Sequence, residues 1–548
     1  MTDNIADLVR QRSADDNVAV RFLEQSWTYR EWVQCCADRA AMWSSICDPS
    51  SPPHIGVLLD NVPDFTMWLG AAALCGATVV GINPTRRGAE LAHDIRHTEC
   101  QIVVCESAYR PMFEGLDLGP AGDHVLDVDS ADYAALIGRH AGAPVPAAPI
   151  APSTQFLLLF TSGTSGTPKA VICTQGRLAG VAGSMVGIVS LTPADATYIS
   201  MPLFHSNALF AGWAPSVAAG ATVALRRKFS AGEFLPDVRR FGATYFNYVG
   251  KPLAYVLATP SQPDDHDNTL TRGFGNEAND ADLAGFAERF GCQLIDGYGQ
   301  SETGASIVRV PDMPIGALGV AAPSVKILDA STGMECPRAQ FDERGRLLNA
   351  QDATGEIVNT AGTTFEGYWN NPHADAERMR DGAYWTGDLG YRDDAGFFYF
   401  AGRTADWLRV DGENFAAAPV ERILARLRGL LLGAVYGVPD PVAGDRVMAA
   451  LHLAPGVDFD AYGFAAFLRA QPDLGPKCAP AFVRITSGLP MTQTNKVLKR
   501  QLAVERWDCD EPVWLRTGEG GYRPFGAADA AQLVEEFERH GRGGVLDR

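Results

Sequence analysis

The feature that most limits the possible folds is the alternation of strand-like and helix-like segments through about the first 400 residues. Such alternation predicts an α/β fold in which mixed or parallel sheets are covered by helices. The predicted strands are His54–Asp60, Gln101–Ser107, Val125–Asp129, Thr154–Phe160 and Ala221–Arg226, and the predicted helices include Phe65–Cys75 and Ala89–His97. We therefore expect a large N-terminal domain built from mixed sheets and helices.

A second pattern follows residue 403 and predicts a smaller α+β domain. Residues 391–403 predict a hairpin with a tight turn at Asp394-Ala395-Gly396. We place the boundary near 404–408, giving domains at 1–404 and 405–548. The segments of the second domain are the helix Ala417–Arg428 and the strands Gly433–Val438 and Arg446–Leu453. From about residue 516 the chain is glycine-rich with one amphipathic helix, Ala527–His540, which we expect to be a surface appendage.

Composition excludes several classes of protein. The net charge of −19 over 548 residues disfavours DNA or RNA as a partner, because phosphate backbones select basic surfaces. The 11 cysteines form no CxxC pair or zinc-like cluster, so we expect reduced thiols. The N-terminus lacks the regions of a signal peptide, and no apolar stretch approaches the roughly 18–20 residues of a membrane span. We therefore expect a cytoplasmic protein.

Residues 160–169 predict a loop that binds phosphate groups. An apolar strand is followed by Thr161, Ser162, Gly163, Thr164, Ser165 and Gly166, and then by Lys169. The glycines let backbone amides approach a ligand, the hydroxyls donate hydrogen bonds, and the lysine adds positive charge. The spacing differs from that of the common nucleotide-binding loop, which has four residues between its first glycine and Gly-Lys. The alternative is a plain polar loop.

Residues 296–304 form a second polar segment after an apolar strand. Asp296 can accept a hydrogen bond from an adenine amino group, and Tyr298 offers a ring for stacking. Ser301 can bind a phosphate oxygen, and Glu302 supplies the hard oxygen ligand that Mg²⁺ prefers. The alternative is a turn at the end of a strand.

These two segments together resemble the signatures of the adenylate-forming enzymes, which include acyl-CoA synthetases, luciferases and peptide-synthetase adenylation domains. Further motifs follow in the same order over nearly the whole chain. Within that family the chain looks most similar to actinobacterial fatty-acyl-CoA synthetases of the fatty-acid transport and very-long-chain type. The segments that carry this second resemblance are Met201–Asn207, Arg226–Phe229, Tyr248–Thr259 and Val410–Asn414.

The resemblance implies roles for individual residues. Asp388 would accept the ribose hydroxyls, Arg403 would contact the ribose near the phosphate, and Lys496 would be the catalytic lysine of a mobile C-terminal domain. Gly412 and Glu413 would meet CoA, and Thr161 would join Glu302 at the metal. The remaining residues that would line the nucleotide site are Gly275, Asn276, Glu277, Gly297, Gly299 and Gln300.

The chain departs from the family pattern at three places. Ser301 replaces the usual threonine and keeps its hydroxyl, and Asn495 stands where glycine usually precedes the lysine. Ala405 stands where the family has a hinge aspartate or lysine, with Asp406 next. This last change puts the identity of the hinge residue in doubt, but it does not alter the expected rotation of the C-terminal domain.

The segments near the expected acyl pocket are apolar and aromatic. We expect His205, Trp213, Tyr248 and Val249 to bound it, with a core histidine as the alternative for His205. We identify no acidic residue that marks an amino-acid amine site, which favours a lipid-like acid such as a fatty acid or a steroid side-chain acid. The basic run Arg226-Arg227-Lys228 could meet CoA phosphates or an anionic lipid surface, or could be a solvated face.

The resemblance implies an enzyme that uses ATP, Mg²⁺ and CoA to convert a small-molecule acid into acyl-AMP and then acyl-CoA. Lys496 would supply positive charge where the carboxylate meets the α-phosphate. Three alternatives stay open: an acyl-AMP ligase that loads a carrier protein, a non-catalytic nucleotide- or lipid-binding module, and a phosphotransferase that releases ADP. We expect a monomer or homodimer, with peripheral contact at the inner membrane face as a further option.

Overall fold

Strands and helices alternate along the chain in the computed structural model. It describes residues 3–161, 168–249, 251–278, 280–302, 304–343, 345, 347–361, 363–403, 407–410, 413–442, 444–475, 477–492, 496–518 and 520–546. The strands are β1 Val18–Phe22, β2 Gln25–Thr28, β3 His54–Leu58, β4 Thr78–Gly81, β5 Ile102–Cys105, β6 Val125–Asp127, β7 Gln155–Thr161, β8 Lys169–Thr174, β9 Ala196–Ile199, β10 Thr222–Leu225, β11 Tyr245–Val249, β12 Arg272–Asn276, β13 Gln293–Tyr298, β14 Ile307–Val308, β15 Val325–Leu328, β16 Gly355–Asn359, β17 Met379–Arg380, β18 Ala383–Arg392, β19 Phe398–Arg403, β20 Trp407–Val410, β21 Glu413–Ala416, β22 Leu430–Pro439, β23 Asp445–Leu453, β24 Phe482–Thr486, β25 Val513–Arg516 and β26 Tyr522–Pro524.

The helices cover and connect these strands. They are α1 Ile5–Gln11, α2 Tyr29–Ile46, α3 Pro63–Cys75, α4 Gly88–His97, α5 Ala131–Gly138, α6 Gln175–Ile188, α7 Ala214–Ala219, α8 Phe234–Phe241, α9 Lys251–Leu257, α10 Asp280–Phe290, α11 Ala350–Ala353, α12 Pro372–Arg378, α13 Ala417–Leu424, α14 Ala461–Ala470, α15 Lys499–Glu505 and α16 Ala527–Arg539. A π-helix spans Ala208–Trp213, and single 3₁₀ turns span Arg110–Phe113, Gly119–Asp123 and Gly543–Val545.

Among the described residues, the strands form three sheets in the large N-terminal domain. One sheet has the order β14-β13-β12-β11-β9-β10-β1-β2, and a second has the order β6-β5-β3-β4-β7-β8. Both are parallel through their centres, with antiparallel pairs at the β1–β2 and β13–β14 ends of the first sheet and at the β7–β8 end of the second. A third, antiparallel sheet joins β15, β16, β18, β17 and β19. The carboxyl ends of β12 and β13 and the β7–β8 hairpin carry the predicted nucleotide motifs.

The main hydrophobic core joins the first two sheets through helices α2, α3 and α6. It contains Trp32, Trp68 and Trp213 together with strand residues such as Phe156 and Ile199. Local sequence explains where its helices begin: Thr28 and Glu31 form a reciprocal capping box at the start of α2. Pro63 opens α3, and Gly76 ends it in the left-handed region at φ +72°.

The predicted strands and helices of the N-terminal half are confirmed to within a few residues at each end. The predicted hairpin is also confirmed, although its first strand begins at Ala383 rather than at Tyr391. The helix predicted over Ala417–Arg428 ends at Leu424. The chain after it closes in tighter turns, with Arg426 bonded to Ile423 and Leu427 to Leu424, before Gly429 at φ +83°.

The smaller C-terminal domain has its own sheet, in the order β22-β23-β24-β25-β26. The segment after residue 516 is part of this domain, and our expectation of a surface appendage is wrong. It supplies β26 to the sheet, and Leu533 and Phe537 of α16 are buried in the domain core with Trp507. The sequence pattern of α16 showed one apolar face, which here has a partner in the same domain. Of the predicted boundary at 404–408, residues 404–406 lie outside the described residues.

Two expectations about the chain as a whole can be compared with this structure. All 11 cysteines are free thiols. Within the described part of the chain, none of the helices combines the length and the apolar character needed to cross a bilayer.

Candidate active site

The β7–β8 hairpin carries the predicted phosphate loop. Thr161 ends β7 and lies opposite Lys169, the first residue of β8, and the Thr161 hydroxyl lies 3.5 Å from the Lys169 carbonyl oxygen. The predicted loop residues Ser162, Gly163, Thr164, Ser165 and Gly166 lie outside the described residues. The hairpin therefore fixes both ends of the loop, and the roles of the loop residues stay predictions.

The Lys169 ammonium is held by two groups inside the protein. Lys169 is 6% exposed, and its Nζ lies 2.9 Å from Oε2 of Glu377 on α12. It also lies 5.4 Å from the ring centre of Tyr368, within the range of a cation–π contact. The hydrogen bond from Lys169 lowers the pKa of the Glu377 carboxyl. A fixed cation beside a glycine-rich loop is suited to phosphate oxygens as a point charge.

Glu302 lies on the other side of the same tyrosine. It is buried, and the Tyr368 hydroxyl donates a hydrogen bond of 2.8 Å to its Oε1. Burial, together with the Glu302 charge, raises the pKa of Tyr368, so the phenol keeps the proton that it donates. Tyr368 therefore joins the two charged groups that the sequence assigned to the phosphates and to the metal.

The residues around Glu302 fit Mg²⁺ that is held mainly by substrate. Within the described residues, no group of three or more His, Cys, Asp or Glu side chains could hold a metal ion. Mg²⁺ usually keeps several waters and binds through one or two carboxylates plus substrate phosphates. A single buried carboxylate near Lys169 is that kind of donor set. Thr161, the second predicted metal residue, lies beside Lys169 on the paired strand.

Asp388 is the centre of a second polar cluster, on β18. Its Oδ2 accepts a hydrogen bond of 2.7 Å from the Tyr298 hydroxyl and another from Gln300 Nε2. Gln300 Nε2 also donates to the Thr386 carbonyl at 3.0 Å. These bonds join the 296–302 segment to β18 and fix the carboxylate that was predicted to accept the ribose hydroxyls. Tyr298 here contributes its hydroxyl, and its stacking role stays a prediction.

Arg403 ends β19 directly opposite Asp388 in the antiparallel pair. Its backbone is described and its side chain is not. The strand register therefore brings the two residues to one place, and the contact of the arginine with ribose stays a prediction.

Asp296 is buried at the end of β13 and is already bonded within the protein. Its Oδ2 accepts from the Tyr248 hydroxyl at 3.2 Å and from the Ala278 backbone N–H at 3.3 Å. Burial raises its pKa to about 7, so the carboxyl is part protonated near neutral pH. It can then accept or donate a hydrogen bond toward a purine.

The glycine-rich end of β12 packs directly on Tyr248. A Cβ at Gly275 would lie 2.4 Å from the Tyr248 ring and 2.5 Å from its backbone oxygen, so a larger residue does not fit. Asn276 Nδ2 donates to the Gly297 carbonyl at 2.6 Å and ties β12 to the next segment. Gly299 lies in the described segment between Tyr298 and Gln300.

Ser301 connects the nucleotide segment to the expected acyl side. Its hydroxyl lies 2.7 Å from the Ser206 hydroxyl, and Arg177 on α6 donates to its carbonyl oxygen. Ser206 follows His205, so the 201–207 and 296–302 segments meet at this serine pair.

Lys496 reaches this site from the C-terminal domain. Its Nζ lies 2.7 Å from Oε1 of Glu277, which follows β12. Its backbone N–H donates to Thr492 Oγ1 at 3.0 Å, and its carbonyl accepts from the Thr492 N–H at 2.8 Å. These bonds close the turn that carries the lysine; residues 493–495 of that turn lie outside the described residues.

The charge of Lys496 affects the pKa of His205. Burial lowers the pKa of His205 to about 3, and the positive charge of Lys496 acts in the same direction. The imidazole is therefore neutral at physiological pH, with its ring 4.3 Å from the centre of Phe204. Its place at the mouth of an acyl pocket stays a prediction.

The other predicted acyl-pocket residues are placed in different surroundings. Tyr248 lines a small apolar cavity with Phe229, Phe234, Phe246 and Phe286. Trp213 is 1% exposed in the main core, against Trp32 and Phe156, and does not line that cavity. Val249 is partly buried and packs against the same main core.

The basic run 226–228 is paired with carboxylates. Arg226 Nη1 lies 3.0 Å from Asp237, Arg227 contacts Glu106, and Lys228 Nζ lies 3.3 Å from Asp60. These pairs reduce the positive charge that the run offers to CoA phosphates or to anionic lipid.

The residues predicted to meet CoA are described only in part. Gly412 lies outside the described residues. Glu413 begins β21, and its backbone pairs with Val410, whereas its side chain is not described. Their role stays a prediction.

Two residues of the site were missed by the sequence analysis. Tyr368 joins Lys169 to Glu302; its signal was an aromatic pair directly before the Asn-Pro start of α12. Arg177 holds the Ser301 carbonyl from a helix more than a hundred residues earlier in the chain. No local pattern in the sequence could reveal that contact.

A continuous series of contacts therefore runs across the site. Lys496 pairs with Glu277, and the residues on either side of Glu277 bond to Gly297 and Asp296 of the next segment. From that segment, Tyr298 bonds to Asp388, and Glu302 bonds to Tyr368, which lies against Lys169. Two cations and a buried carboxylate, beside a second carboxylate that can accept hydrogen bonds from ribose hydroxyls, can hold a nucleoside triphosphate and neutralise charge where a second anion attacks it.

Known proteins resemble this chain over nearly its full length. Residues 9–369 match the family model described as AMP-binding enzyme. The chain is 53% identical over 543 residues to the steroid-22-oyl-CoA synthetase of Rhodococcus jostii, covering 98% of each protein. It is 49% identical over 497 residues to the medium/long-chain-fatty-acid–CoA ligase FadD17 of Mycobacterium marinum, covering 90% of this chain and 94% of that protein.

Solved structures share the fold. The crystal structure of the anthranilate CoA ligase AuaEII in complex with anthranoyl-AMP matches with a TM-score of 0.80 at 20% identity, covering 91% of this chain and 96% of that one. The mixed α/β architecture with a large N-terminal and a smaller C-terminal domain is common to both.

Proposed function

We propose that this chain, which belongs to the AMP-binding enzyme family, is an ATP-dependent acyl-CoA ligase that forms AMP and pyrophosphate. The observation that carries the proposal is the set of contacts that joins Lys496 to Glu277, the neighbours of Glu277 to the 296–302 segment, and that segment to Asp388 and Lys169. ATP, Mg²⁺ and CoA are the cofactor and co-substrates of this chemistry.

The acid that we propose is lipid-like: a steroid side-chain acid or a medium- to long-chain fatty acid. Two relatives at about half identity are named for these two classes of acid. Between the two classes we favour the steroid acid, because the relative named for it is the more similar and is covered over 98% of its length.

In the first step, the substrate carboxylate attacks the α-phosphorus of ATP, and pyrophosphate leaves. Two anions must approach, so neutralisation of charge is the main task of the protein. Lys496 supplies charge at the reacting oxygens, and Lys169 supplies it at the leaving phosphates. Glu302 would hold Mg²⁺, which would neutralise phosphate oxygens when bound. Asp388, fixed by Tyr298 and Gln300, orients the ribose.

In the second step, the CoA thiol attacks the acyl carbon of acyl-AMP and AMP leaves. We propose that the domain after the 404–408 boundary rotates between the steps, withdrawing Lys496 and presenting the Gly412–Glu413 segment. The individual site assignments made from sequence are part of this proposal. No protein nucleophile is required, since the mixed anhydride is itself the activated acyl group.

The proposal also covers assembly and location. We propose a cytoplasmic enzyme, monomeric or homodimeric, with peripheral contact at the inner membrane face. Leu23, which is 60% exposed, borders a surface cavity together with Arg227, Lys228 and Arg240. This is the surface that would contact the membrane. Light scattering during gel filtration tests the assembly, and sedimentation with anionic vesicles tests the membrane contact.

The function is tested by ATP–pyrophosphate exchange over a panel of carboxylic acids, first without CoA and then with it. We expect exchange with steroid or fatty acids and thioester formation when CoA is added. Exchange without thioester would instead indicate loading of a carrier protein, and release of ADP would indicate a phosphotransferase. Absence of exchange with every acid would favour a binding module.

Lys496→Ala tests the mechanism. We expect it to reduce exchange by a factor of at least about 100, as is typical when a transition-state charge partner is removed. Thioester formation from supplied acyl-AMP should stay close to that of the unsubstituted enzyme. The matched control is Lys499→Ala, which removes a lysine that pairs with Glu421 within the C-terminal domain at 2.9 Å. Equal loss of both half-reactions in Lys496→Ala would contradict the assigned role.

A further inference from the structure

The contact between Glu277 and Lys496 joins the two domains at the site of the first step. Glu277 Oε1 lies 2.7 Å from Lys496 Nζ, with side chains 53% and 39% exposed respectively. Glu277 follows β12 of the large domain, and Lys496 precedes α15 of the small one. The carboxylate is thus the group that receives the lysine when the C-terminal domain lies against the nucleotide segment.

The backbone at Glu277 is strained. Its φ is +66°, in the left-handed region that residues other than glycine and asparagine rarely adopt. The neighbouring residues impose this conformation, since Asn276 bonds to the Gly297 carbonyl and the Ala278 N–H to Asp296. The strain is a reason to look for a role of this side chain, and the ion pair with Lys496 is the observation that suggests which role.

The geometry suits a group that orients the Lys496 ammonium and leaves some of its N–H donors for other acceptors. A lysine ammonium has three N–H donors on a flexible stem that loses rotamer entropy when it is fixed. Glu277 takes one donor and leaves two for other acceptors. The imidazole of His205 is neutral, and the charge of the same lysine helps to keep it so.

We propose that Glu277 is a positioning residue for Lys496: it docks the lysine of the C-terminal domain at the nucleotide segment and orients the ammonium for acyl-adenylate formation. This inference rests on the proposed function, and it differs from a nucleotide-binding role for Glu277. The proposal gives the Glu277 carboxylate a role in the first step alone, because the domain rotation that precedes thioester formation separates Glu277 from Lys496.

Two substitutions separate the charge from the backbone strain. Glu277→Gln keeps the length and a hydrogen-bond acceptor and removes the charge, and we expect pyrophosphate exchange at saturating substrates to fall about three-fold. Glu277→Gly also relieves the strain, and we expect a fall of about five-fold, consistent with a partly exposed ion pair. The KM for ATP and the rate of thioester formation from supplied acyl-AMP should not change in either variant.

The stability of Glu277→Gly distinguishes positioning from a structural role. Because glycine adopts positive φ without cost, we expect its unfolding temperature to equal or exceed that of the unsubstituted protein while exchange falls. The control is Glu24→Gln, which removes a carboxylate that pairs with Arg240 at 2.6 Å on the surface and should leave exchange unchanged. Unchanged exchange in both Glu277 variants, or a change confined to the KM for ATP, would overturn the proposal. Equal loss of the two half-reactions, or a lower unfolding temperature of Glu277→Gly, would also do so.

A labelling experiment tests the contact without relying on activity. Acetic anhydride acylates free lysine amines, and mass spectrometry can follow Lys496 against Lys499 in the same peptide region. We expect Lys496 to react about three-fold faster in Glu277→Gln than in the unsubstituted protein, with Lys499 unchanged. Equal reactivity in the two proteins would overturn the pairing even if the enzyme proved to act on an untested acid. An enzyme that lacks exchange yet shows this protection would count against the proposed function and in favour of the contact.

Discussion

At the scale of single residues, burial raises the pKa of Asp296 to about 7. Asp296 was expected as an ordinary acceptor for adenine, and its place in the 296–304 motif was readable from the sequence. The contacts that remove it from water come from Tyr248 and Ala278, on separate segments. A motif identifies the side chain, whereas its protonation depends on neighbours that only the fold brings together.

Asp296→Asn gives a prediction about pH. The folded-state pKa is raised to about 7, above the unfolded value of about 3.9, so the folded protein binds the extra proton between these values. Its contribution to stability is therefore full below about pH 4 and is lost as the pH rises through about 7. Asparagine does not titrate, so Asp296→Asn should gain stability relative to the unsubstituted protein between pH 5 and pH 8.

Urea unfolding of both proteins at pH 5 and pH 8 measures this difference. The control is Asp264→Asn, because Asp264 is an exposed surface partner of Arg239. A constant stability difference between the two pH values for Asp296→Asn would contradict the raised pKa.

At the scale of secondary-structure elements, the strands and helices that the sequence predicted are those that carry a clear periodic pattern of their own. The elements interpreted wrongly were those whose partners are remote in sequence. Helix α16 showed an apolar face, and nothing near it in the chain indicated what covers that face. In the structure, Phe537 stacks on Trp507 with ring centres 6.5 Å apart and shares a core with Leu489 and Leu502. The same limit applies to Tyr368, which joins two motifs and belongs to neither of them.

Phe537→Ala tests the role of α16. Phe537 is fully buried, and loss of a buried phenylalanine side chain costs about 3–5 kcal/mol, so we expect the C-terminal domain to unfold at a lower denaturant concentration. Adenylation should fall with it, since Leu489 and Leu502 flank the Lys496 segment. The control, Val534→Ala, changes a residue of the same helix that is 42% exposed and should cost less than about 1 kcal/mol. Equal stability of the two variants would support the appendage interpretation after all.

At the scale of the whole molecule, polar contacts between described residues join the two domains. Besides the Glu277–Lys496 pair, Arg422 of α13 donates to the Phe400 carbonyl at 2.8 Å and to the Tyr391 hydroxyl at 3.3 Å. Arg422 therefore attaches α13 to the β18–β19 hairpin, which also carries Asp388. Sequence predicted both domains, but the arrangement of one against the other depends on such contacts, which leave no periodic signal.

Arg422→Ala should loosen this arrangement. A hydrogen bond to a charged donor contributes about 1.5–3 kcal/mol when buried, and partial exposure reduces this, so we expect adenylation to slow about three- to ten-fold. Thioester formation from supplied acyl-AMP should be unchanged or faster. Arg426→Ala is the control, because Arg426 pairs with Asp473 inside the C-terminal domain at 2.6 Å. A slower thioester step in Arg422→Ala would contradict this account.

The packing of α16 also sets the order in which the protein becomes active during its synthesis. The residues that form the nucleotide segment and the β18–β19 hairpin leave the ribosome well before Phe537 does. The turn that carries Lys496 lacks the support of Leu533 and Phe537 until α16 has been made. A nascent chain, or one cut by a protease before α16, would hold a nucleotide without joining it to an acid, so unfinished molecules would not consume ATP.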